Sequence, residues 1–118
     1  MTMAILPKLR SVGKNLTANV NNTVYTCPNN HTAKIVLLFV ANETSGNKTI
    51  HVDWYDSSAA DTYTIIGGYT ISGYGYLALD QSYLVLNQGD SFIIKPEAGS
   101  TMSATLTVEE FFDPSNQE

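Results

Sequence analysis

Residues 102–109 read MSATLTVE, and this stretch decides the fold class. Every second side chain in it is apolar: Met102, Ala104, Leu106 and Val108. Successive side chains of a β-strand point to opposite faces, so this alternation predicts a strand with one buried and one outward face. The chain shows no 3.6-residue apolar period, which is what an amphipathic helix would give. The residues therefore predict an all-β protein.

Strand signals of the same kind occur throughout the chain. Residues 34–41 (KIVLLFVA) form a continuous apolar run, which predicts a central strand buried on both faces. A strand through Tyr63 and Ile65 is expected to stop at Gly67-Gly68. The remaining predicted strands lie at residues 24–26, 49–56, 77–79, 83–86 and 92–95. Short strands with a turn about every eight to twelve residues favour an antiparallel β-sandwich, jelly-roll or Ig-like, with a closed barrel as the alternative.

The length of 118 residues fits one domain. Residues 1–22 have no clear period and predict an extended N-terminal arm, residues 23–112 form the sandwich domain, and residues 113–118 are a polar C-terminal tail. Charged side chains make up 14% of the chain, against about one quarter in an average protein, and Thr, Ser and Asn supply the polarity instead. This composition excludes a coiled coil, a charge-driven disordered chain and a basic nucleic-acid coat.

Charge is divided unevenly along the chain. Residues 1–42 carry four basic and no acidic side chains, whereas residues 43–118 carry two basic and eleven acidic ones, so +4 and −9 give the net −5. A basic start on an acidic body predicts that the arm docks on an acidic surface, such as a neighbouring copy, through Lys8, Arg10 and Lys14. A solvated tail is the alternative.

Candidate chemistry is sparse. Cys27 is the only cysteine, so no internal disulfide and no thiolate cluster is expected. His51 and Asp53 share one face of a predicted strand, which could begin a metal site or a hydrolytic dyad, but no third ligand is evident. We therefore predict no catalytic residue, no cofactor and no metal. No apolar run approaches 18 residues, so no membrane is expected as a partner. No nucleic acid is expected either, because the composition excludes a basic nucleic-acid coat.

Five Asn-X-Ser/Thr triplets occur, beginning at residues 15, 21, 30, 42 and 47. Residues 1–6 are too short for the apolar core of a secretory signal and have no charged residue before them. The triplets are therefore expected to reflect the abundance of Asn, Ser and Thr rather than glycosylation.

Tyrosines are concentrated in one glycine-rich segment, residues 69–76 (YTISGYGY). Tyr69, Tyr74 and Tyr76 offer large contact areas with polar tips, which suits a subunit contact, a cover for the protein's own core edge, or a platform for a sugar ring. A glycan-binding module using Trp54 or this segment is thus an alternative function. The alternation around Trp54 places it in the core, which weakens that alternative.

The order of these segments resembles the small β-sandwich virion proteins of tailed bacteriophages, particularly those of marine cyanobacteria. The likeness spans about residues 15–112. Its motifs are TVYTCP at 23–28, TAKIV at 32–36, AN at 41–42, TIHVDW at 49–54, LVL at 84–86, GD at 89–90 and II at 93–94. These motifs mark turns and strands rather than chemistry, and the family offers no catalytic residues to transfer.

The resemblance implies a non-enzymatic structural role in the virus particle. The favoured role is that of a capsid decoration (cement) protein, which binds the major capsid protein or other virion proteins on the capsid surface. Such a protein is made in the host cytoplasm. Cement proteins are often trimers, so a homo-oligomer, with a trimer favoured, is expected. A tail-associated or fibre-like virion protein is the alternative within this class.

Overall fold

The computed structural model describes residues 6–80 and 84–112, and all regular structure in these ranges is β-strand. Among the described residues no helix is long and apolar enough to cross a membrane. The predicted tail, residues 113–118, and the start of the strand predicted at 83–86 lie outside these ranges. The strands are β1 (Lys8–Leu16), β2 (Asn22–Thr26), β3 (His31–Asn42), β4 (Lys48–Asp56), β5 (Asp61–Ile71), β6 (Tyr76–Leu79), β7 (Leu84–Asn87), β8 (Ser91–Pro96) and β9 (Met102–Phe112).

The strands form two antiparallel sheets, as predicted. Sheet A has the order β1-β9-β3-β6, with β7 also paired to β3, and sheet B has the order β2-β8-β4-β5. Leu79 pairs with Leu38 and Leu84 with Ile35, so β6 and β7 follow one another along β3 like two halves of one strand. Counting them as one strand gives two four-stranded sheets with the strand order of a jelly roll. The sandwich is therefore of the jelly-roll type and not Ig-like.

The core lies between the inner faces of the sheets. In β9 the alternating residues Met102, Ala104, Leu106 and Val108 are all 2% exposed or less, as the sequence predicts. Sheet B contributes Ile50, Val52 and other apolar residues to the same cluster. Burial of these side chains from both sheets, at about 25 cal/mol per Å² of apolar surface, is the main stabilising contribution of the sandwich.

Part of the predicted N-terminal arm is an edge strand of the sandwich. Lys8–Leu16 pairs with β9 over nine residues, from Lys8–Glu110 to Leu16–Met102. Only Val12 and Leu16 on its inner side are withdrawn from solvent. An edge strand has a strand neighbour on one side only and tolerates polar side chains that face inward, so the apolar alternation of its sequence is weak.

Two further strand predictions are corrected by the structure. β5 does not stop at Gly67-Gly68: it continues to Ile71, because Gly68 is an extra residue in a bulge and adopts the positive φ of 109° that glycine permits. β3 is central in its sheet, but it is buried on one face only. Its outward side chains include Phe39, which is 39% exposed. No second layer covers that face among the described residues.

Candidate interaction surfaces

The outer face of sheet A is almost free of charge, and we call it the neutral face. It comprises Ser103, Thr105, Thr107 and Glu109 of β9 and their neighbours Ser11, Lys34, Leu37, Phe39, Tyr76 and Val85. Lys34 and Glu109 are the only charged residues in this set, and they form an ion pair of 3.9 Å. Neutral polar side chains such as these can be buried against another protein without stranding an unpaired ion.

An aromatic pair lies on the neutral face. The rings of Phe39 and Tyr76 are tilted to each other with centroids 5.9 Å apart. Tyr76 is 68% exposed, so most of its ring is available for further contact. Large aromatic rings that remain exposed on a flat sheet are typical of protein–protein contacts rather than of a solvated surface.

The structure separates the three tyrosines that the sequence groups together. Tyr76 lies on the neutral face, whereas Tyr69 pairs with the buried residue Ile50 and lies at the margin of sheet B. Tyr74 lies in the loop between β5 and β6, is 77% exposed and has a φ of 58°. A bulky residue in this left-handed region is strained, and such strain is often kept where the side chain has a function. Their role as partner-binding residues stays a prediction.

The three basic residues of β1 differ in their surroundings. The Arg10 Nε lies 3.7 Å from Glu110 Oε2, and its guanidinium lies 5.9 Å from the centre of the Tyr25 ring. The Tyr25 hydroxyl donates to the same carboxylate at 2.5 Å. Burial, followed by this hydrogen bond, raises the pKa of Tyr25 well above its usual value, so the hydroxyl stays a donor. Arg10 thus helps to hold β1 to the core.

Lys8 and Lys14 are both exposed on β1. The register places Lys8 opposite Glu110 and Lys14 opposite the small residue Ala104, so Lys14 has no acidic residue directly across from it. Of the predicted basic set, Lys14 is therefore the side chain most open to an external acidic partner. That role is not tested by the structure and stays a prediction.

The His51–Asp53 pair lies in an open depression of about 570 Å³ on the outer face of sheet B. His51 Nε2 is 3.3 Å from Asp53 Oδ1, so the structure does bring the two side chains together. No group of three or more His, Cys, Asp or Glu side chains with metal-site geometry occurs among residues 6–80 and 84–112. No third candidate ligand joins this pair in the described part of the chain, and the expectation of no metal and no catalysis stays a prediction.

Glu97 also lines this depression. It accepts a hydrogen bond of 2.9 Å from the backbone N–H of Thr49, and its second oxygen lies 3.8 Å from Lys48 Nζ. The hydrogen bond first, and the lysine to a smaller extent, lower the pKa of Glu97 below its usual value. These contacts join the turn before β9 to the start of β4, which is a structural role.

The outer edge of β5 is a surface that sequence reasoning missed. β5 has a strand neighbour on one side only, and Tyr63, Ile65 and Tyr69 are each 44–46% exposed along it. Ile65 faces an apolar cleft of about 170 Å³ between the sheets, bounded also by Leu79 and Leu84. The sequence predicts this strand but ends it at Gly67-Gly68, since a bulge leaves no periodic signal, and so the length of the exposed edge was missed.

Trp54 is unsuited to serve as a sugar platform. Its ring lies against Tyr63 with centroids 5.4 Å apart, and its Nε1 donates to Asp90 at 3.2 Å. Both the face and the polar edge of the indole are therefore engaged within the protein. This packing against the core was expected from the alternation of β4.

No family model matches the chain, and no curated protein matches it. Several solved structures do. A structure of the Bacillus endospore appendages, described as disulfide-linked pili, matches with a TM-score of 0.57 and 8% identity over 94% of this chain and 92% of that one. The capsid structure of Helicobacter pylori bacteriophage KHP30 matches with a TM-score of 0.54 and 10% identity, covering 92% and 89%.

A third match is the globular domain of the zebrafish complement 1qA protein, with a TM-score of 0.52 and 14% identity over 85% of this chain and 94% of that one. The likeness is one of fold. At these identities the matched chains share the β-sandwich architecture, and they do not transfer binding partners or activities to this chain.

Proposed function

We propose that this chain is a non-enzymatic structural protein of a virus particle, and specifically a capsid decoration protein that binds the major capsid protein. The observation that carries the proposal is the neutral face. It combines exposed apolar and aromatic side chains with neutral hydroxyls, and it holds one ion pair. The fold likeness to a phage capsid structure and the resemblance of the sequence to phage virion proteins support it.

The neutral face would be the side that meets the capsid. Phe39 and Tyr76 would supply apolar contact, and Ser103, Thr105 and Thr107 would supply hydrogen bonds without the cost of burying charge. Many weak contacts of this kind add up when numerous copies bind one particle. A contact of this nature stabilises the capsid by holding neighbouring capsid subunits in place.

The proposal is tested by adding purified protein to undecorated particles of the encoding virus and measuring co-sedimentation. Tyr76→Lys puts a charge into the neutral face and is expected to lower occupancy at least tenfold, because the ammonium would have to be desolvated. The matched control is Tyr55→Lys on the outer face of sheet B, which should bind as the unmodified chain does. Equal loss in both variants would exclude the neutral face as the binding side.

The basic residues of β1 need a test by substitution. Removing residues 1–14 would take away most of an edge strand, so loss of binding in such a variant would not separate an electrostatic role from damage to sheet A. Lys14→Glu keeps the strand intact. If Lys14 contacts an acidic capsid surface, this variant binds particles more weakly than the unmodified chain. The difference in binding between the two then becomes smaller as the salt concentration is raised.

A tail-associated or fibre-like position is the second candidate, because a tail protein could use the same neutral face against a neighbouring subunit. Labelling the chain with antibody-coated gold on intact virions separates the two: label distributed over the head supports decoration, and label confined to the tail supports the alternative. Absence of the chain from purified virions would refute both.

A further inference from the structure

The described strands leave four sheet edges, and they differ in length and charge. β1 and β5 are the long ones, with nine and eleven residues, whereas β2 has five and β6 and β7 have four each. A long exposed edge presents a row of unpaired backbone N–H and C=O groups, which pairs readily with another strand. β1 and β5 are therefore the edges most able to pair with a strand of another chain.

The two long edges have complementary side chains. β1 carries Lys8, Arg10 and Lys14 and no acid, whereas β5 carries Asp61 and no basic residue, and Asp56 lies opposite Asp61 in the same hairpin. Apolar side chains accompany the charges on both edges. Leu9 of β1 is 67% exposed, and β5 exposes Ile65 beside the apolar cleft described above.

Pairing of β1 with another copy of β1 is disfavoured, because it would bring basic residues together across the new contact, and like charges placed opposite each other destabilise a strand pair. Among the described strands, β5 is the only other uninterrupted edge strand with at least the nine residues of β1. Its acidic end and its lack of basic residues make it the matching partner.

We propose that the β1 edge of one copy of this chain pairs with the β5 edge of a second copy, so that sheet A of the first continues into sheet B of the second. The inference rests on the assembly role proposed above and names the partner at these two edges. β1 and β5 lie at opposite margins of the sandwich, so the contact is head-to-tail: each copy keeps one edge open for the next. Such contacts close into a ring, of which a trimer is the smallest common case, or continue as a filament.

A cross-linking experiment tests the pairing of the edges. Lys14→Cys and Thr62→Cys are introduced together in the full chain and treated with a short bis-maleimide. The native thiol does not interfere, since Cys27 is 1% exposed. The double variant is expected to give a ladder of covalent oligomers, or one closed oligomer, whereas each single variant gives none. Dimers from either single variant, or no product from the double variant, would overturn the proposal.

A charge exchange tests the electrostatic part of the same contact. Lys14→Glu is expected to weaken self-association about two- to fivefold, measured by light scattering across a concentration series. Adding Asp61→Lys to that variant should restore it. Lys95→Glu makes the same change in net charge on an exposed position of β8 away from both edges, and it should have no effect. Equal weakening by Lys95→Glu, or failure of the double variant to recover, would contradict the proposal, with thermal unfolding measured to confirm that each variant is folded.

These results are separable from those on virus particles. A chain that is monomeric at every concentration yet sediments with the particle would overturn the contact between copies and leave the decoration role standing. A chain that forms the cross-linked oligomers but is absent from virions would overturn the decoration role and leave the contact between copies standing.

Discussion

Asp90 is fully buried and holds three parts of the chain together. Its carboxylate accepts hydrogen bonds from the Trp54 indole, from the backbone N–H and hydroxyl of Ser57, and from the backbone N–H of Asn87. A buried carboxylate is tolerated because its lone pairs are satisfied by these donors. Asp90 therefore links the turn after β4 to the turn before β8.

Asp90→Ala is expected to lower the free energy of unfolding by about 3 kcal/mol, because hydrogen bonds to a charged group are lost and buried donors are left without an acceptor. Urea unfolding followed by the fluorescence of Trp54 measures the change. Asp61→Ala, at an exposed position, is the control and should stay within about 0.5 kcal/mol of the unmodified protein. A similar loss in both variants would mean that the Asp90 hydrogen bonds contribute little.

Cys27 provides a prediction about pH. Burial first, and then the nearby charges of Asp90 and Glu110, raise the pKa of the thiol from 9.0 to about 11. The folded state therefore favours the protonated thiol, so this contribution to stability is complete below pH 9 and is lost as the pH rises towards 11. The free energy of unfolding should fall by up to about 1.4 kcal/mol per pH unit in that window on this account alone.

Cys27→Ala isolates that contribution, since it retains every other group that titrates at alkaline pH. The variant should show a shallower fall of unfolding free energy between pH 9 and pH 11 than the unmodified chain. Identical slopes would show that the thiol titrates alike in the folded and unfolded states.

The roles of single buried polar side chains such as Asp90 cannot be predicted from the sequence. Gly89-Asp90 follows a strand and predicts a turn, and Gly89 does adopt a positive φ of 83°. What the sequence does not show is that the Asp90 side chain turns inward, because its donors at positions 54, 57 and 87 come together only when β4 and β8 pair. Asn42 is a second case. It begins an Asn-X-Thr triplet, yet it is 2% exposed and its amide donates to three backbone carbonyls.

At the scale of elements, two loops pack against each other through a glycine. A Cβ atom on Gly73, in the loop between β5 and β6, would lie 2.1 Å from the backbone oxygen of Ser45 in the loop between β3 and β4. The neighbouring Tyr74 N–H donates to the carbonyl of Thr44 at 3.0 Å, which fixes the same approach. Only a residue without a side chain fits at Gly73.

Gly73→Ala is expected to cost about 1–3 kcal/mol of unfolding free energy, since one of the two loops must move to make room. Gly46→Ala is a matched control in the facing loop, because a Cβ there meets nothing within 4 Å and its φ is not positive. Thermal unfolding of both variants measures the difference. Equal melting temperatures would show that the loops yield without cost.

The strands differ in how far their sequences reveal them. β4 and β9 alternate because each lies inside its sheet with one face on the core, so residue pattern and structure agree. β1 and β5 are edges, and β5 also contains two register shifts, one at Gly68 and one at Ile65. Edges and bulges relax the requirement for alternation, so the same argument that found the interior strands missed Lys8–Leu16 and misjudged the end of β5. The outer edge of β5 was missed as a candidate surface for the same reason.

The whole molecule is built from contacts between distant parts of the chain. β9 pairs with both β1 and β3, and the hydroxyls of Ser11 and Thr107 meet at 2.8 Å across 96 positions of sequence. Closing such long loops before any contact is gained slows folding.

We expect refolding to take between about a millisecond and several seconds, as for other two-sheet proteins with mostly non-local strand pairs. Stopped-flow dilution from urea, followed through Trp54, measures the rate. Arg10→Ala removes the contact to Glu110 that helps to hold β1 on the core, and it should speed unfolding more than it slows refolding if β1 docks late. A refolding time in microseconds would contradict this expectation.

The pairing of β1 with β9 also has a consequence for biosynthesis. A ribosome adds roughly 5 to 20 residues per second, so the 96 positions between Ser11 and Thr107 represent about 5 to 20 seconds of translation. β1 is therefore synthesised well before its partner strand exists. The sandwich can close only when β9 has left the exit tunnel. Until then the basic strand β1 stays open to chaperones and to other nascent chains.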